Sequence, residues 1–565
     1  MSDATSITST HKVDTMFTSA AEEAQSRLHV EIIPGTEILT DLEDTHFIRG
    51  GRQGVVLVPQ PTADPHDPLN WSPFWKYVTL LNCSLYMFLG NFTALSIAPL
   101  TPIYLEYFNT TITKVGLLTG VCVLTLGYAN FILIPCTRLF GRRPVALVCS
   151  VIFLGSNVWQ ALATSYSSLM GGRALIGIAA ATSESLMPVV IADLLFLHER
   201  GTWMGIYFWA FFMGAWAGPI VSGNIAANPN LGWRWFFWVS AIMQGVLLVS
   251  MFFFFPETKY QREPSVATYR HHHREDTAKT DGTTTDNKED PTRSRENIES
   301  LEAPVPMTHV LGKGCPTKTQ RLGMNLRPDR AELKFLPRDL ITPFQLVAFP
   351  IVVFASCCLG FGANCLLVLN LLESPGFSAP PYNFSPSAVG FVNFALMGGG
   401  IFGLLTAGPF SDWVSMKLTV RNNGIREPEM RLPALIPFCI IGFVGLLVAG
   451  LGWEHKWPWP VIVVVGFGFS GVLVMAIPTI GLTYAIDSYK PVAGQITVVG
   501  TVVKNTFGFG MTYFINDMAN QRGYLVPVML LASLGVGIPV VGGLMLWFWG
   551  KSCRRISRNS KVHRF

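Results

Sequence analysis

The sequence predicts an all-α integral membrane protein, with twelve transmembrane helices arranged as two six-helix halves. Three observations lead there. Half of the 565 residues are hydrophobic and only 14% are charged, the balance of a chain that lives in lipid. Apolar runs recur at lengths close to the about 20 residues that cross a hydrocarbon core of roughly 30 Å. One long polar segment divides these runs six and six.

Residues 1–76 are polar, acidic and rich in Ser and Thr, with no apolar stretch of signal-peptide type. They are expected to form a disordered cytoplasmic tail, with the first span as an uncleaved anchor. At its end, Asp67-Pro68-Leu69-Asn70-Trp71-Ser72 reads as a capped turn that places Trp71 and Trp75 in the interfacial aromatic belt. Spans follow at roughly 77–100, 115–137, 144–163, 168–193, 203–226 and 234–255, forming an N-terminal half over 77–256. The C-terminal half, 344–549, holds spans at roughly 344–372, 387–409, 433–452, 459–486, 493–515 and 525–549. Residues 257–343 carry mixed charge and few apolar side chains, so this stretch is expected to be a disordered cytoplasmic linker. His271, His272 and His273 within it are read as solvent-exposed, and no metal or cofactor is expected. Residues 550–565 read as a basic cytoplasmic tail.

Orientation follows from the basic residues of the short loops. With the N-terminus inside, the inner loops hold Arg138, Arg142, Arg143, Arg200, Lys417, Arg421, Arg426, Arg431 and Lys490, and the C-terminal tail adds more. The outer loops hold Lys114, Arg234, Lys456 and Arg522. Both termini are therefore expected in the cytoplasm. The glycosylation acceptors Asn109 and Asn383 fall in outer loops on this reading. The ten cysteines lie mostly within apolar runs and read as core residues, not a disulfide frame.

The polar residues inside the spans are few. Arg173 and Glu184 share span four, about three helical turns apart, and an ionisable group there needs a partner or a wet cavity. A carboxyl in a low-dielectric cavity can take a proton near neutral pH and release it when its surroundings change. Glu184 and Arg173 are therefore the candidates for proton coupling or cation binding. Lys504 and Asn505 interrupt span eleven too deeply for easy snorkelling. With Asn91, Asn364 and Asn370 they are the candidate cavity residues. Gly214, Gly218, Pro219 and Gly223 form a small-residue stripe in span five, suited to close packing and bending.

At these residues the chain resembles the major facilitator superfamily, specifically its fungal twelve-span drug:proton antiporter group. Arg173, Gly177 and Ala179 to Ala181 are similar to the R-x-x-x-G-x-a-a motif of the fourth helix. Gly214, Gly218, Pro219 and Gly223 are similar to the G-x-x-x-G-P motif of the fifth, usually associated with export. The D-P-x-N-W string at Asp67 to Trp71 and R-E-P-E-M-R-L-P at Arg426 to Pro433 resemble strings of the same group. Gly141, Arg142 and Arg143 match the end of the superfamily's G-x-x-x-D-R-x-G-R-R signature, but Arg138 stands where the family usually has Asp. In the second half Gly408 and Asp412 keep the matching Gly and acid, and Arg421 is one candidate partner for Asp412. The resemblance implies an inner-face gate built from Gly141, Arg142, Arg143, Asp412, Arg426, Glu427, Glu429 and Arg431.

No nucleotide loop, zinc-protease motif or nucleophile elbow is present in the sequence, which argues against an enzyme and against a pump driven by ATP. The expected function is proton-coupled export of a drug, toxin or secondary metabolite by alternating access. The alternative is proton-coupled uptake of polyamines or other organic cations. The expected partners are a small organic substrate, protons and membrane lipid, without nucleic acid, and the expected state is a monomer in the plasma membrane.

Overall fold

The computed structural model describes residues 64–260, 314–323, 336–422, 425–489 and 492–557, with 312, 333 and short pieces of the N-terminal tail (37–38, 49–50, 55–56 and 62). The histidine run 271–273, most of the N-terminal tail and residues 558–565 lie outside the described residues.

Six long helices build the first half: α1 (Pro73–Ala94), α2 (Ile112–Phe140), α3 (Arg142–Leu162), α4 (Tyr166–Leu194), α5 (Leu197–Ala227) and α6 (Arg234–Phe254). Six build the second: α7 (Pro350–Ser378), α8 (Pro386–Arg421), α9 (Leu435–Glu454), α10 (Gly468–Ser488), α11 (Ala493–Arg522) and α12 (Ile538–Ser557). Among the described residues eleven helical units are long and apolar enough to span a bilayer. The twelfth long helix, α11, has 30 residues but is more polar, because it carries Lys504, Asn505, Asn516 and Asp517.

Local chemistry sets the helix ends. Thr111, Ser165 and Ser385 accept from Lys114, Ser168 and Ala388 backbone N–H groups and so cap α2, α4 and α8. Pro73, Pro350 and Pro386 open α1, α7 and α8, where a missing N–H costs nothing. Two π-helical turns, Val461–Phe467 and Ser533–Gly537, lead into α10 and α12. Many helical Ser and Thr return their hydroxyls to the preceding turn, as Thr93 does to the Leu89 carbonyl (2.9 Å), which satisfies the hydroxyl within its own helix.

The two halves pack alike. α1 lies on α5 as α7 lies on α11, α2 on α4 as α8 on α10, and α3 on α6 as α9 on the segment Leu525–Ala532 that leads to α12. Two seams carry most of the contact between halves, α2 against α11 and α5 against α8. Each seam is closed by glycine. A Cβ on Gly120 would strike Thr512, and one on Gly400 would strike the Trp216 ring.

The sequence expectation needs correction at the edges of the bundle. The turn Pro68–Asn70 is capped by Asp67 as expected, and Trp71 is fully buried against the protein. Its indole donates to the His66 carbonyl (3.2 Å), and Ser72 N–H donates to Gly314 (2.8 Å). The stretch read as disordered linker is ordered at 257–260 and 314–323. Glu257 N–H donates to the Gln320 carbonyl (2.8 Å), and the Arg321 guanidinium lies 4.5 Å from the Trp75 ring centroid. Burial of Trp71 and this backbone pairing supply what composition alone did not predict. Residues Leu336–Leu346 form a separate helix ahead of α7, so that span begins at Pro350 and not at 344. The tail read from 550 is helical to Ser557, held by a fully buried Arg554. Glu37–Ile38 pair antiparallel with Ile425–Arg426.

Candidate functional site

Near the middle of α4, Glu184 faces the other half. Its Oε1 accepts from the Lys504 ammonium of α11, and both residues are only 8% exposed. The pair lies about 15 Å, or ten residues, from the end of α4 at Leu194. It answers a question that sequence left open, the partner of Lys504. The Phe211 ring of α5 stands 5.1 Å from the same ammonium. Asn364 of α7 donates to the Lys504 backbone carbonyl (3.0 Å), fixing α11 at that level. Glu184 Oε2 and Asn505 Nδ2 are buried with no hydrogen-bond partner. Asn505 abuts α2, where a Cβ on Gly127 would come within 2.7 Å of its Cβ. The site thus draws together Glu184, Lys504, Asn505 and Asn364 from the expected set.

Other expected members stand apart from it. Arg173 is fully buried eleven residues before Glu184, about 16 Å along α4. Its guanidinium donates to the carbonyls of Leu118 (3.1 Å), Thr93 (2.7 Å) and Ala94. The last two become available because α1 ends at Ala94. Arg173 therefore ties α1 and α2 to α4. Asn91 donates to Met87 in its own helix (3.1 Å). Asn370 donates to Glu373 (3.4 Å), a buried carboxyl that the sequence reading missed because it follows the apolar run ending at 372. A Glu two residues before Pro375, in a run otherwise apolar, is the signal that could have found it.

The α5 stripe divides by partner. Cβ atoms on Gly214 and Gly218 would strike the carbonyls of Phe88 and Phe92 in α1, while one on Gly223 would strike the Pro386 carbonyl of α8 in the other half. Pro219 lies at the second contact, where its carbonyl would be 2.7 Å from a Cβ on Gly390. Tyr207 of α5 donates to the Ser183 carbonyl beside Glu184.

At the helix ends nearest the chain termini, each half carries an ion cluster. Arg142 pairs with Asp193 at the end of α4 (3.1 Å). Gly141, at φ 97°, turns the chain so that Glu257 accepts from the Arg142 and Arg143 N–H groups (3.0 and 3.1 Å). The acid missing at Arg138 is thus supplied by two residues distant in sequence. Arg143 is buried and donates to the carbonyls of Phe252 (2.8 Å) and Phe255 (2.7 Å), anchoring α3 to the end of α6. In the second half Arg431 pairs with Asp412 (2.7 Å) and with Asp487 at the end of α10 (2.8 Å). Asp412 therefore meets Arg431, not Arg421. Arg426 approaches Asp487 at 3.9 Å. Asp193 and Asp487 hold equivalent places at the ends of α4 and α10. Glu429 binds Arg554 through both its oxygens (2.8 and 2.7 Å), and Glu427 binds Lys551 (2.7 Å), so these two acids fasten α12. Asn109 and Asn383 are exposed in turns at the other end of the molecule, both with positive φ.

Helices paired identically in two halves, around an ion pair that joins them inside the apolar layer, describe a class: a multi-pass membrane transporter. The chain belongs to the Major Facilitator Superfamily, whose model matches residues 80–505. An MFS-type transporter of Schizosaccharomyces pombe, itself uncharacterized, is 27% identical over 538 residues, covering 91% of this chain and 92% of its own. A probable efflux pump of Aspergillus flavus is 26% identical over 464 residues, covering 82% of this chain and 99% of its own. Among solved structures, the xylose transporter XylE from E. coli, in a partially occluded inward open conformation, matches at a TM-score of 0.50 and 13% identity. That match covers 84% of this chain and 99% of XylE, and it is a likeness of fold alone.

Proposed function

We propose that this protein is a proton-coupled secondary transporter that exports a small organic compound (a drug, toxin or secondary metabolite) by alternating access. The observation that carries the reading is the buried Glu184–Lys504 pair, which joins α4 of one half to α11 of the other. While both groups are charged they neutralise each other and hold the halves together. A proton on Glu184 removes one charge and leaves the ammonium without its counterion, which is costly inside a membrane. The contact then weakens, so proton binding biases how the halves meet. The unpartnered Glu184 Oε2 and Asn505 Nδ2 offer hydrogen bonds to a solute, and Phe211 offers an apolar face. Resemblance to a relative named a probable efflux pump supports the outward direction.

A second reading, uptake of an organic cation, is favoured by the same free carboxylate oxygen, which could accept from a substrate ammonium. In either case we place the protein in the plasma membrane as a monomer with both termini cytoplasmic, and Asn109 and Asn383 as glycan acceptors outside. The ion clusters of Arg142 and Arg431 then form the inner gate. The test compares accumulation of labelled lipophilic toxins and polyamines in cells with and without the protein, at two external pH values. Lower toxin accumulation, lost when the proton gradient is collapsed, is the expected result. Higher polyamine accumulation under an inward proton gradient would overturn export in favour of uptake.

A further inference from the structure

A second buried carboxyl lies well away from the Glu184–Lys504 pair. Glu373 is fully buried in α7, five residues before that helix ends at Ser378. Its partners are amides. Asn370 Nδ2 donates to Oε1 (3.4 Å), and Asn393 Nδ2 of α8 donates to both oxygens (3.1 Å each). Among the described residues no cation lies within ion-pair distance of it. On α11, Lys504 is taken by Glu184 and sits level with Asn364, nine residues and about 13 Å down α7. Asp517 of α11 accepts from Thr113 of α2 (2.7 Å). Asp412 of α8 and Asp487 of α10 are bound to Arg431 at the opposite end of the bundle.

An ionised carboxylate in this place would face neutral donors alone, with no counterion to offset its removal from water. A second observation concerns Asn393, which is fully buried and whose Oδ1 has no partner. A carboxylic acid satisfies both groups at once. Its O–H donates to Asn393 Oδ1 after a small rotation of the amide, while the amide N–H keeps its bond to the other carboxyl oxygen. The result is a closed, neutral acid–amide pair between α7 and α8. Asn370 also lines a small cavity between the halves, beside Thr101, Thr119 and Asn516. The Asn516 Oδ1 is likewise buried without a partner. This cavity lies toward the end of the molecule that bears Asn109 and Asn383.

We infer that Glu373 is a second proton site, protonated while α7 and α8 pack as they do here and discharged through the Asn370 cavity when the two halves part at that cavity. The inference goes beyond export and does not depend on which solute is carried. It requires a proton on one named oxygen pair.

The test reads that proton directly, by infrared spectroscopy of the purified full-length protein in detergent at neutral pH. Wild type and Glu184→Gln are expected to show the carbonyl band of a protonated carboxyl, and Glu373→Gln to lose it. Glu373→Asp keeps an acid at the position one methylene shorter, and it should shift the same band. It also serves if the Gln variant folds poorly. Absence of the band in wild type, or an unmoved band in either Glu373 variant, would overturn the proposal. The transport assay plays no part, so a failed export reading leaves this outcome legible.

Discussion

Arg173 and Glu184 share one helix, eleven residues apart, and are both ionisable groups inside the apolar layer, yet their partners differ in kind. Arg173 spends its guanidinium on three backbone carbonyls of its own half. Glu184 reaches a side chain of the other half and keeps one oxygen without a partner. Backbone carbonyls cannot change charge or leave a helix end without unfolding it. An ammonium on another helix can. The first arrangement is an anchor, and the second can be made and broken within a folded protein.

The largest effect should come from breaking the anchor. Arg173→Leu removes three charge-assisted bonds to buried carbonyls, each of about 1.5–3 kcal/mol. Membrane-inserted protein, measured by surface labelling, is expected to fall roughly tenfold or more, as such losses feed quality control. Normal amounts of protein with abolished coupling would move Arg173 into the functional pair.

Glu184→Gln should act chiefly on function. The amide keeps size and one acceptor but leaves the buried Lys504 ammonium without its counterion, so the amount of protein is expected to fall less than in Arg173→Leu while gradient-driven transport in vesicles is lost. Lys504→Met combined with Glu184→Gln removes both charges together, and should restore protein abundance to any variant in which a lone ammonium destabilises the fold. Unchanged proton-driven flux in Glu184→Gln would remove that residue from coupling.

The glycine stripe of α5 repeats the contrast at a smaller scale. Gly218 meets the Phe92 carbonyl within its half, and Gly223 meets the Pro386 carbonyl across the halves. Overpacking costs about 1–3 kcal/mol in either place. Gly218→Ala is expected to lower the amount of protein severalfold. Gly223→Ala should leave the amount nearly intact and slow transport, because it disfavours only the state in which this seam is closed. Equal effects of the two on abundance would show that the seam between halves is as fixed as the seam within one.

Hydropathy read most of the fold because a span that meets lipid is largely apolar over about 20 residues, whatever it packs against, and α11, with Lys504, Asn505, Asn516 and Asp517, is where that signal weakens. The limits of that signal show at particular residues. By composition Glu257 is the first residue of the linker, yet its carboxylate caps α3. By composition Arg554 belongs to a basic tail, yet it is buried against Glu429. Both belong to helix ends where polar composition marks a boundary but not a partner. Glu184 and Lys504 were each legible as intramembrane charges, since nothing else explains their presence there. That they face each other was not, because 320 residues separate them and only the α4–α11 packing brings them together. The repeat between halves was nearly invisible in sequence for a related reason. It is conserved in which helix touches which, and different side chains can serve the same contact.

The smallest predicted effect tests the comparison where both members are ion pairs on one helix. Arg554 of α12 is buried with Glu429, whereas the Lys551 side chain, one turn earlier, is 44% exposed in its pair with Glu427. An exposed pair contributes about 0–1 kcal/mol, because water and salt compete for both charges. Removing one partner of a buried pair costs about 3–5 kcal/mol, because the other is left charged and dry. Lys551→Gln is therefore expected to leave thermal stability in detergent almost unchanged, and Arg554→Gln to lower it clearly. The same reasoning separates Arg173 from Glu184, with burial held constant there and the partner varied. If Lys551→Gln proved as damaging as Arg554→Gln, exposure would not be what ranks the charges of this protein, and the anchor role of Arg173 would need support beyond its burial.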